Sequence, residues 1–527
     1  MAPAPDSTTS VLPTSNKVKG WARRQLTKGW LKFSLAGLWL GFLAWQVAID
    51  SLWVQVLDRR LQTLFFDMRG SVEAPEDIVI VAIDNETLSQ AEHYRVDPQQ
   101  YDHLEPIAQS PWPRRTYAIA IERLLNAGAK VVALDVMFFT PSSYGADDDA
   151  ALKSVLQSYG DQVVLASLHG NDNLLQGDLN RPQLPLSDFL ATPIHPGTIN
   201  FAIDPDGRIH RHGRYYLTDL QNYLEGVTSR SQIPNELQQT RSFAEATLDA
   251  AGIDPGPHRG EFLNFYGPHR TFRQVPFWYL FDDAPWTWNL GEGSFFKDKI
   301  VLIGATADSF QDFHPAPFSD TLLHPEKMAG VEILATDVAN LRAGLALKRG
   351  IPLPWMRGLL VLVTGAGFGV LLWRVNRPVA RLGWTVATAS AWFWLSFGAL
   401  TVTGYVLPTG GPMIALIVIG GAYIVADIVT GQIRKQRLRK TLEQYVTSPI
   451  VQEIISQQDD LQDLLKLREA EVIGLVLGNR YRIIRLLGSG GFGETYIAED
   501  NQRPGAPICV VKQLRIISDD PKAHRLR

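Results

Sequence analysis

Residues 77–84 read DIVIVAID, an apolar run of six residues with a carboxylate at each end. Two similar runs follow, AGAKVVALD at residues 127–135 and KIVLIGA at residues 299–305. Short apolar runs bounded by polar or turn residues are typical of strands that are buried on both faces, as in a parallel sheet. We therefore predict buried strands at residues 78–83, 131–134 and 300–303.

The segments between these runs have the pattern of amphipathic helices. Residues 115–127 and 331–345 carry apolar side chains at helical spacing, and Gly128 suits the carboxyl end of the first helix. Strands that alternate with helices indicate an α/β layer. We expect an α/β domain over residues 50–350.

Composition excludes some classes of protein. The charged fraction is 20% and the formal net charge is -4, so nucleic acid is not an expected partner. The chain has one cysteine, Cys509, and so cannot form an internal disulfide. Residues 1–20 are rich in Pro, Ser and Thr, and we predict a disordered cytoplasmic tail over residues 1–29.

Four apolar stretches predict membrane helices, at residues 30–49, 354–373, 382–405 and 411–430. Residues 382–426 contain no Asp, Glu, Lys or Arg, and the turn sequence PTGGP at 408–412 divides them into a hairpin. A cleaved signal peptide is the alternative for the first stretch. The uncleaved anchor is favoured because no small-residue cleavage site follows it.

The basic residues predict the orientation of these helices. Three arginines lie between the second and third stretches, and five Lys or Arg residues follow the fourth between positions 434 and 440. The positive-inside rule then places both termini in the cytoplasm and residues 50–350 outside the cell membrane. We therefore expect a multi-pass protein of the plasma membrane, whose helices contact lipid. The last two stretches carry no charge at their centres, which disfavours a transporter.

Several segments together resemble a known family, the second type of CHASE domain, an extracellular sensor attached to bacterial cyclases and kinases. They are the three strand segments quoted above, with WPRR at 112–115, DFH at 312–314 and MAGVEI at 328–333. One helix before this domain and three after it are also similar to that family. The resemblance implies a sensor, but it supplies no agreed ligand.

Three carboxylates are candidates for the ligand site of the α/β domain. Asp84 and Asp135 each follow a predicted parallel strand, and ligand crevices of open α/β sheets lie at that edge. With Asp312 they could line one pocket. The alternative is that these carboxylates cap helices or order loops.

Two other clusters are interpreted without a metal. His210 and His212 would share one face of a strand, but Arg208, Arg211 and Arg214 beside them would repel a cation, so a solvated strand face is predicted. The aspartates at 147–149 are expected to start a helix at Ala150, where carboxylates favour the helix dipole. We expect no metal site.

Residues 431–477 predict cytoplasmic connector helices, because apolar residues recur at spacings of three, four and seven. Pro449 divides the stretch, and polar residues occupy seam positions, so a long coiled coil is not supported. A short contact in a homodimer and a helix packed on its neighbour remain open. The segment also resembles the connector that follows such sensor domains.

Residues 478–527 resemble the first strands of a serine/threonine protein kinase, the β-rich N-lobe. The motif GSGGFGETYIA occupies residues 488–498, and VVK follows at 510–512. The resemblance implies ATP with Mg as cofactor, bound through Gly488, Gly490, Gly493 and Lys512. A Rossmann site is the alternative, but that fold needs a helix directly after the glycines.

The fold class expected from the sequence is therefore a multidomain membrane protein with an α/β extracytoplasmic sensor domain, four transmembrane helices and the start of a kinase N-lobe. No HRD or DFG motif occurs, so we expect no catalytic residue in this chain and a truncation within the N-lobe. Two functions remain open. One is a sensor that drives a kinase acting on protein substrates, and the other is a non-catalytic receptor that acts through partner proteins.

Overall fold

The structure is a computed structural model and describes residues 36–169, 182–227, 240–254, 260–444, 451, 455, 472–490 and 493–514. The chain divides into two compact units, one within residues 33–420 and the other from residue 421 onward. The first unit contains an α/β domain and apolar helices. The second contains a small antiparallel sheet.

A largely parallel sheet forms the centre of the first unit. Its strand order is β6-β5-β3-β2-β8-β1-β7, and the short β4 pairs antiparallel with β3. The strands are β1 (Ile78–Ile83), β2 (Val131–Leu134), β3 (Val163–His169), β4 (Pro182–Gln183), β5 (His195–Thr198), β6 (Arg241–Ser242), β7 (Arg273–Pro276) and β8 (Ile300–Ala305). The last strand, β8, lies between β1 and β2 and is parallel to both.

Helices precede, cover and follow this sheet. They are α1 (Ala36–Ala48), α2 (Leu52–Arg69), α3 (Asn85–Val96), α4 (Arg114–Asn126), α5 (Ala146–Tyr159), α6 (Ser187–Leu190), α7 (Gly213–Val227), α8 (Phe243–Ala250), α9 (Asp283–Trp288), α10 (Gly330–Ala343), α11 (Pro354–Arg374), α12 (Pro378–Gly398) and α13 (Gly410–Gln444). Two small ladders join β9 (Phe313–His314) to β10 (Met328–Ala329) and β11 (Lys348–Arg349) to β12 (Tyr405–Val406).

Each face of the sheet has its own apolar core. One core lies between the sheet and α4 and includes Val79, Val81 and Val132. The other lies between the sheet and the helices α8 and α10 and includes Ile80 and Ala133. Alternate strand residues point to opposite faces, so a strand covered on both sides must be apolar throughout. All six residues of β1 are buried.

The predicted strands at 78–83, 131–134 and 300–303 are confirmed, with β8 extending to Ala305. The predicted helices at 115–127 and 331–345 are also confirmed within two residues. Helix α4 ends where Gly128 adopts a φ of 90°, a conformation that suits glycine at a helix end. Local pattern was sufficient here because these elements belong to the buried core.

Among the described residues, three helices are long and apolar enough to cross a membrane: α11, α12 with its π-helical extension to Thr403, and α13. A fourth span exists if α1 and α2 count as one, although they meet at a bend of 78°. Phe65 and Phe66 at the end of α2 are buried with residues of the α/β domain. The predicted first span, 30–49, begins outside the described residues and is represented by α1.

Two predicted boundaries differ from the structure. The predicted span 382–405 starts earlier, at Pro378, since proline suits the first position of a helix. The predicted boundary between span and connector at residue 431 does not interrupt the helix, because α13 is continuous from Gly410 to Gln444. Most of the predicted connector after residue 444 lies outside the described residues.

The second unit contains the antiparallel strands β13 (Val476–Leu477), β14 (Tyr481–Gly490), β15 (Gly493–Asp500) and β16 (Ile508–Leu514), in sequence order across the sheet. Val472, Ile483 and Tyr496 form its small core. The guanidinium of Arg480 donates two hydrogen bonds, of 2.7 and 2.6 Å, to the carboxylate of Asp500. This pair joins the start of β14 to the end of β15.

Candidate functional site

A cavity of about 290 Å³ lies at the carboxyl ends of β2, β3 and β5 in the α/β domain. Ligand crevices of open α/β sheets occupy this edge. Most of its wall is aliphatic or aromatic, and four polar side chains reach it. The cavity is lined by Asp135, Leu168, Ile199, Asn200, Phe201, Ile203, Ile209, Asp312, His314, Gly330, Ile333 and Leu334.

Asp135 lies directly after β2, and its N–H donates to the carbonyl of Ile303 on the neighbouring strand, at 2.8 Å. Its side chain lies deep in the domain and keeps part of its surface open to the cavity. Burial, together with the nearby carboxylate of Asp312, raises the pKa of Asp135 to about 7. Within the described part of the chain, no hydrogen-bond donor contacts its carboxylate.

Asp312 and His314 form a second polar group of the cavity. The ring Nε2 of His314 donates to Oδ1 of Asp312 at 3.0 Å. This hydrogen bond raises the pKa of His314, with further help from the charge of Asp135. Gly330 leaves room for Asp312, because a side-chain carbon there would come within 2.6 Å of Oδ2. Asp312 is therefore hydrogen-bonded to His314, whereas Asp135 interacts with His314 only through its charge.

The structure brings two of the three predicted carboxylates together. Asp135 and Asp312 line the cavity, but Asp84 does not. Asp84 is the N-cap of α3, and its Oδ1 accepts a hydrogen bond of 2.7 Å from the N–H of Thr87. Capping is therefore the role that the structure gives to Asp84, the alternative considered from the sequence.

Two features of the cavity were not predicted. His314 lies two residues after Asp312, the spacing that puts two strand side chains on one face, and this signal was present in the segment DFH. Asn200 is held in place by its own hydrogen bonds, to the N–H of His169 at 2.7 Å and to the hydroxyl of Thr198 at 3.0 Å. The apolar wall comes from three separate segments, namely β3, residues 199–211 and α10, which no local pattern connects.

The prediction of a solvated strand face at His210 and His212 is wrong. The two residues are 0% and 1% exposed. Nε2 of His210 donates to Asp206 at 2.9 Å, and Nδ1 of His212 hydrogen-bonds to Asp337. A carboxylate partner lowers the cost of burying a polar ring, so each histidine can lie in the interior.

The arginines beside these histidines have partners of their own. Arg208 donates to the carbonyls of Ala316, at 3.1 Å, and of Ser319 and Asp320. Arg211 contacts Asp204 at 2.8 Å. The charges of the arginines are thus matched by other groups rather than being displayed to solvent around the histidines.

The aspartates at 147–149 are in a helix that begins at Ala146, four residues earlier than predicted. Asp148 does not serve only its own helix. Its carboxylate accepts hydrogen bonds from the N–H groups of Arg114 and Arg115, at 2.7 and 3.0 Å, and from the hydroxyl of Ser142. Asp148 therefore caps the start of α4, a long-range role that the sequence did not predict.

A second cavity, of about 310 Å³, is lined by residues of α2, of the segment 199–211, and of the chain that precedes α11 and α13. Asp204 contacts Nε of Arg59 in α2 and Nε of Arg211, each at 2.8 Å. Beside Arg59, Oδ1 of Asp58 accepts hydrogen bonds from the N–H groups of Thr409, at 3.1 Å, and Gly410, at 2.7 Å. Asp58 thus contacts the first residue of α13.

Ile203 lines both cavities. It belongs to the segment 199–211, which contributes Ile199, Phe201 and Ile209 to the first cavity and Asp204 and Arg211 to the second. This segment is one wall shared by the two cavities. A change in the position of this segment would alter the shape of both cavities.

The predicted nucleotide-binding glycines lie in the hairpin between β14 and β15. In this ladder Gly488 is opposite Thr495, and Gly490 is opposite Gly493. Thr495 is in turn opposite Lys512 on β16. Residues opposite one another across a ladder point to the same face, so Lys512 shares a face of this sheet with Thr495.

Gly493 has a structural requirement as well. Its φ is 146°, and a side-chain carbon would lie 2.0 Å from the carbonyl oxygen of Gln513. Glycine is needed here for close approach of β16, whether or not a phosphate binds. Among the described residues, no three His, Cys, Asp or Glu side chains are grouped so that they could hold a metal ion.

A short segment of the chain is similar to known protein kinases. A segment of 51 residues is 59% identical to serine/threonine-protein kinase PknA of Nostoc sp., and one of 52 residues is 56% identical to serine/threonine-protein kinase B of Synechocystis sp.. Each match covers 10% of this chain and 9% of the relative, so the chain spans a small part of the curated relatives it matches. No solved structure matches.

The family model for the CHASE2 domain matches residues 35–373, well over half of the 527-residue chain. These residues contain the α/β domain, the helices α1 and α2 before it and the helix α11 after it. The resemblance to the second type of CHASE domain is confirmed. The chain belongs to the CHASE2 domain family.

Proposed function

We propose that this protein is a transmembrane sensor whose CHASE2 domain controls a cytoplasmic serine/threonine protein kinase. The observation that carries the proposal is the presence in one chain of a CHASE2 domain and a segment similar to serine/threonine kinases. The α/β domain supplies a cavity at the sheet edge where ligands bind. Apolar helices between the two parts would carry the signal across the membrane.

The proposed topology has four spans, with α1 as the first and α11, α12 and α13 as the others. The bend between α1 and α2 supports it, because α2 leaves the direction of the span and buries Phe65 and Phe66 against the α/β domain. Basic residues between α11 and α12 and in the second half of α13 favour a cytoplasmic side for both. Residues 50–350 would then be extracytoplasmic.

We propose that the segment 199–211 couples the ligand cavity to the spans. A ligand that moves Ile203 would also move Asp204, which contacts Arg59. The carboxylate of Asp58, the residue before Arg59, accepts hydrogen bonds from the N–H groups of Thr409 and Gly410 at the start of α13. Because α13 is continuous to Gln444, a shift at its amino end can reach residues far beyond the membrane.

The nucleotide site of the proposed kinase would be the hairpin at Gly488, Gly490 and Gly493 with Lys512. Antiparallel strands flank the glycines, and no helix follows them in β15, which favours a kinase over a Rossmann site. Lys512 would neutralise the α and β phosphates of ATP, and Mg would be held by a catalytic lobe. Protein substrates follow from the same proposal.

The test is autophosphorylation by the complete gene product in lipid nanodiscs with radiolabelled ATP. Replacing Lys512→Met removes the proposed phosphate contact and should reduce the rate about 100-fold or more, the usual cost of losing a group that stabilises a reacting charge. Arg482→Met is the matched control, because it removes an exposed cation from the same sheet. Its rate should stay close to that of the wild type.

Binding of a fluorescent ATP analogue gives a second readout. If the wild type neither binds the analogue nor incorporates phosphate, the kinase proposal is refuted and the non-catalytic receptor is favoured. If phosphorylation occurs but Lys512→Met leaves its rate unchanged, the hairpin is not the nucleotide site. Coupling is tested separately by Arg59→Met, which should alter the response of phosphorylation to the sensed ligand but not its basal rate.

A further inference from the structure

We propose that the cavity at the carboxyl ends of β2, β3 and β5 binds a small organic ammonium ion, with its ammonium group on Asp135 and its apolar body against the aliphatic wall. The signalling meaning of this inference rests on the proposed sensor function. Binding itself does not, and it is measured independently.

The wall of the cavity suits an apolar body. Seven aliphatic or aromatic side chains line it, and Leu168 of β3, Phe201 and Leu334 of α10 come from different segments that enclose one space. Transfer of an apolar group from water to such a wall contributes about 25 cal/mol for each Å² buried. A hydrated inorganic ion would lose water there without gaining oxygen ligands, so the wall argues against a bare metal ion.

Within the described ranges, the polar groups leave one carboxylate of the cavity without a hydrogen-bond donor. Asp312 is hydrogen-bonded to His314, and the amide of Asn200 is engaged with His169 and Thr198. In the described structure, Asp135 is the carboxylate of this cavity without a partner. The amino end of α10 reaches the cavity at Gly330, but Asp312 already lies against that position. An additional cation is therefore the group that the cavity lacks.

Other ligand charges fit less well. An anion would be placed beside Asp135 and Asp312 and would be repelled by both. A neutral ligand would leave Asp135 buried without a counter-charge, which is costly in a low-dielectric site. An ammonium group gives Asp135 a charge-assisted hydrogen bond, the stronger kind.

The volume limits the size of the ligand. A cavity of 150 Å³ holds benzene, so one of about 290 Å³ accommodates a ligand of about ten non-hydrogen atoms. The 2-phenylethylammonium ion has this size and combines a primary ammonium group with an apolar ring. It is a suitable probe, and 2-phenylethanol and phenylacetate are its neutral and anionic counterparts.

The experiment is isothermal titration of the protein in lipid nanodiscs at pH 8 with each of the three probes. We expect the ammonium probe to bind, and the alcohol and the carboxylate to bind at least about tenfold more weakly, since a hydrogen bond to a charged group contributes about 1.5–3 kcal/mol. Asp135→Asn should weaken the ammonium probe by a similar factor, whereas Asp135→Glu should retain part of the affinity. Asp161→Asn, on the exposed surface, is the control and should not change binding.

The proposal is overturned if the ammonium probe does not bind the wild type, if the alcohol binds equally well, or if Asp135→Asn binds the ammonium probe as tightly as the wild type. The second outcome would mean recognition by apolar contact alone. These results are distinct from failure of the proposed function. Tight, Asp135-dependent binding with no effect on phosphorylation would keep the site and refute the coupling.

Discussion

Replacement of Asp135 by asparagine should stabilise the α/β domain, and the gain should depend on pH. The pKa of Asp135 is raised to about 7 in the folded protein, mainly by burial, whereas an aspartate in an unfolded chain has a pKa of about 3.9. Between these two values the folded state binds more protons than the unfolded state. Stability of the wild type is therefore lost as pH rises from about 4 to about 7, and the loss is complete above that range.

The magnitude follows from the shift of about three pKa units. At about 1.4 kcal/mol per unit, the ionised carboxylate costs about 4 kcal/mol at pH 8. An asparagine side chain without hydrogen-bond partners would itself cost about 1 kcal/mol, so the net gain is about 3 kcal/mol. For a domain of this size that raises the melting temperature by about 6 °C. At pH 4 the gain should be replaced by a small loss of at most about 1 kcal/mol, because only the cost of the asparagine remains.

The assay is thermal unfolding of wild type and Asp135→Asn in lipid nanodiscs between pH 4 and pH 8.5, followed by intrinsic tryptophan fluorescence. Asp161→Asn is again the control, because its side chain is exposed. Comparing variants at each pH removes the contribution of all other titrating groups. An Asp135→Asn protein that is less stable than wild type at pH 8, or a difference that does not change with pH, would refute the reasoning.

Three further changes test the structural roles described above. Asp84→Ala removes the N-cap of α3 and should lower the free energy of unfolding by about 1 kcal/mol, measured by denaturant titration, with Asp84→Asn close to wild type. Asp148→Ala leaves two N–H groups of α4 without an acceptor and should lower the free energy of unfolding by about 2–3 kcal/mol at pH 7. Burial opposes ionisation of Asp148, but its hydrogen bonds outweigh this effect and lower its pKa. The loss caused by the substitution should therefore shrink as pH falls below about 4. A cost that is equal at pH 3 and pH 7 would contradict this account. Gly493→Ala places a carbon against the carbonyl of Gln513 and should increase hydrogen exchange across β15 and β16, while the same change at exposed Gly488 should have a smaller effect.

The sheet could be predicted from the sequence because its strands are marked locally. A strand that is covered on both faces has apolar residues at every position, as β1 does from Ile78 to Ile83, and few other elements have this pattern over six residues. The order of the strands could not be predicted in the same way. Insertion of β8 between β1 and β2 depends on pairing over a long sequence distance, which no local pattern records.

The candidate site was predictable in part. The rule that ligands bind at the carboxyl ends of parallel strands selected Asp135, and the structure places it with Asp312 in one cavity. The same rule also selected Asp84, whose carboxylate is instead engaged by the N–H of Thr87. Both aspartates follow a strand, and the difference between them depends on whether a helix begins at the next residue.

The buried histidines show a second limit of sequence reasoning. His212 pairs with Asp337, which is 125 residues further along the chain. The arginines beside His212 suggested solvent, but Arg211 pairs with the nearby Asp204, and Arg208 donates to the carbonyl of Asp320, 112 residues further along the chain. A polar residue can be buried when it has such hydrogen-bond partners, and the charges of its sequence neighbours do not show whether these partners exist.

The position of β8 has a consequence for biosynthesis. The strand that completes the centre of the sheet is the last of the eight to leave the ribosome, and β1 and β2 have no direct contact through which they could pair before it arrives. Until residue 305 is synthesised, the nascent domain has two half-sheets with open edges. We therefore expect its chaperone requirement to persist at least until β8 has left the ribosome.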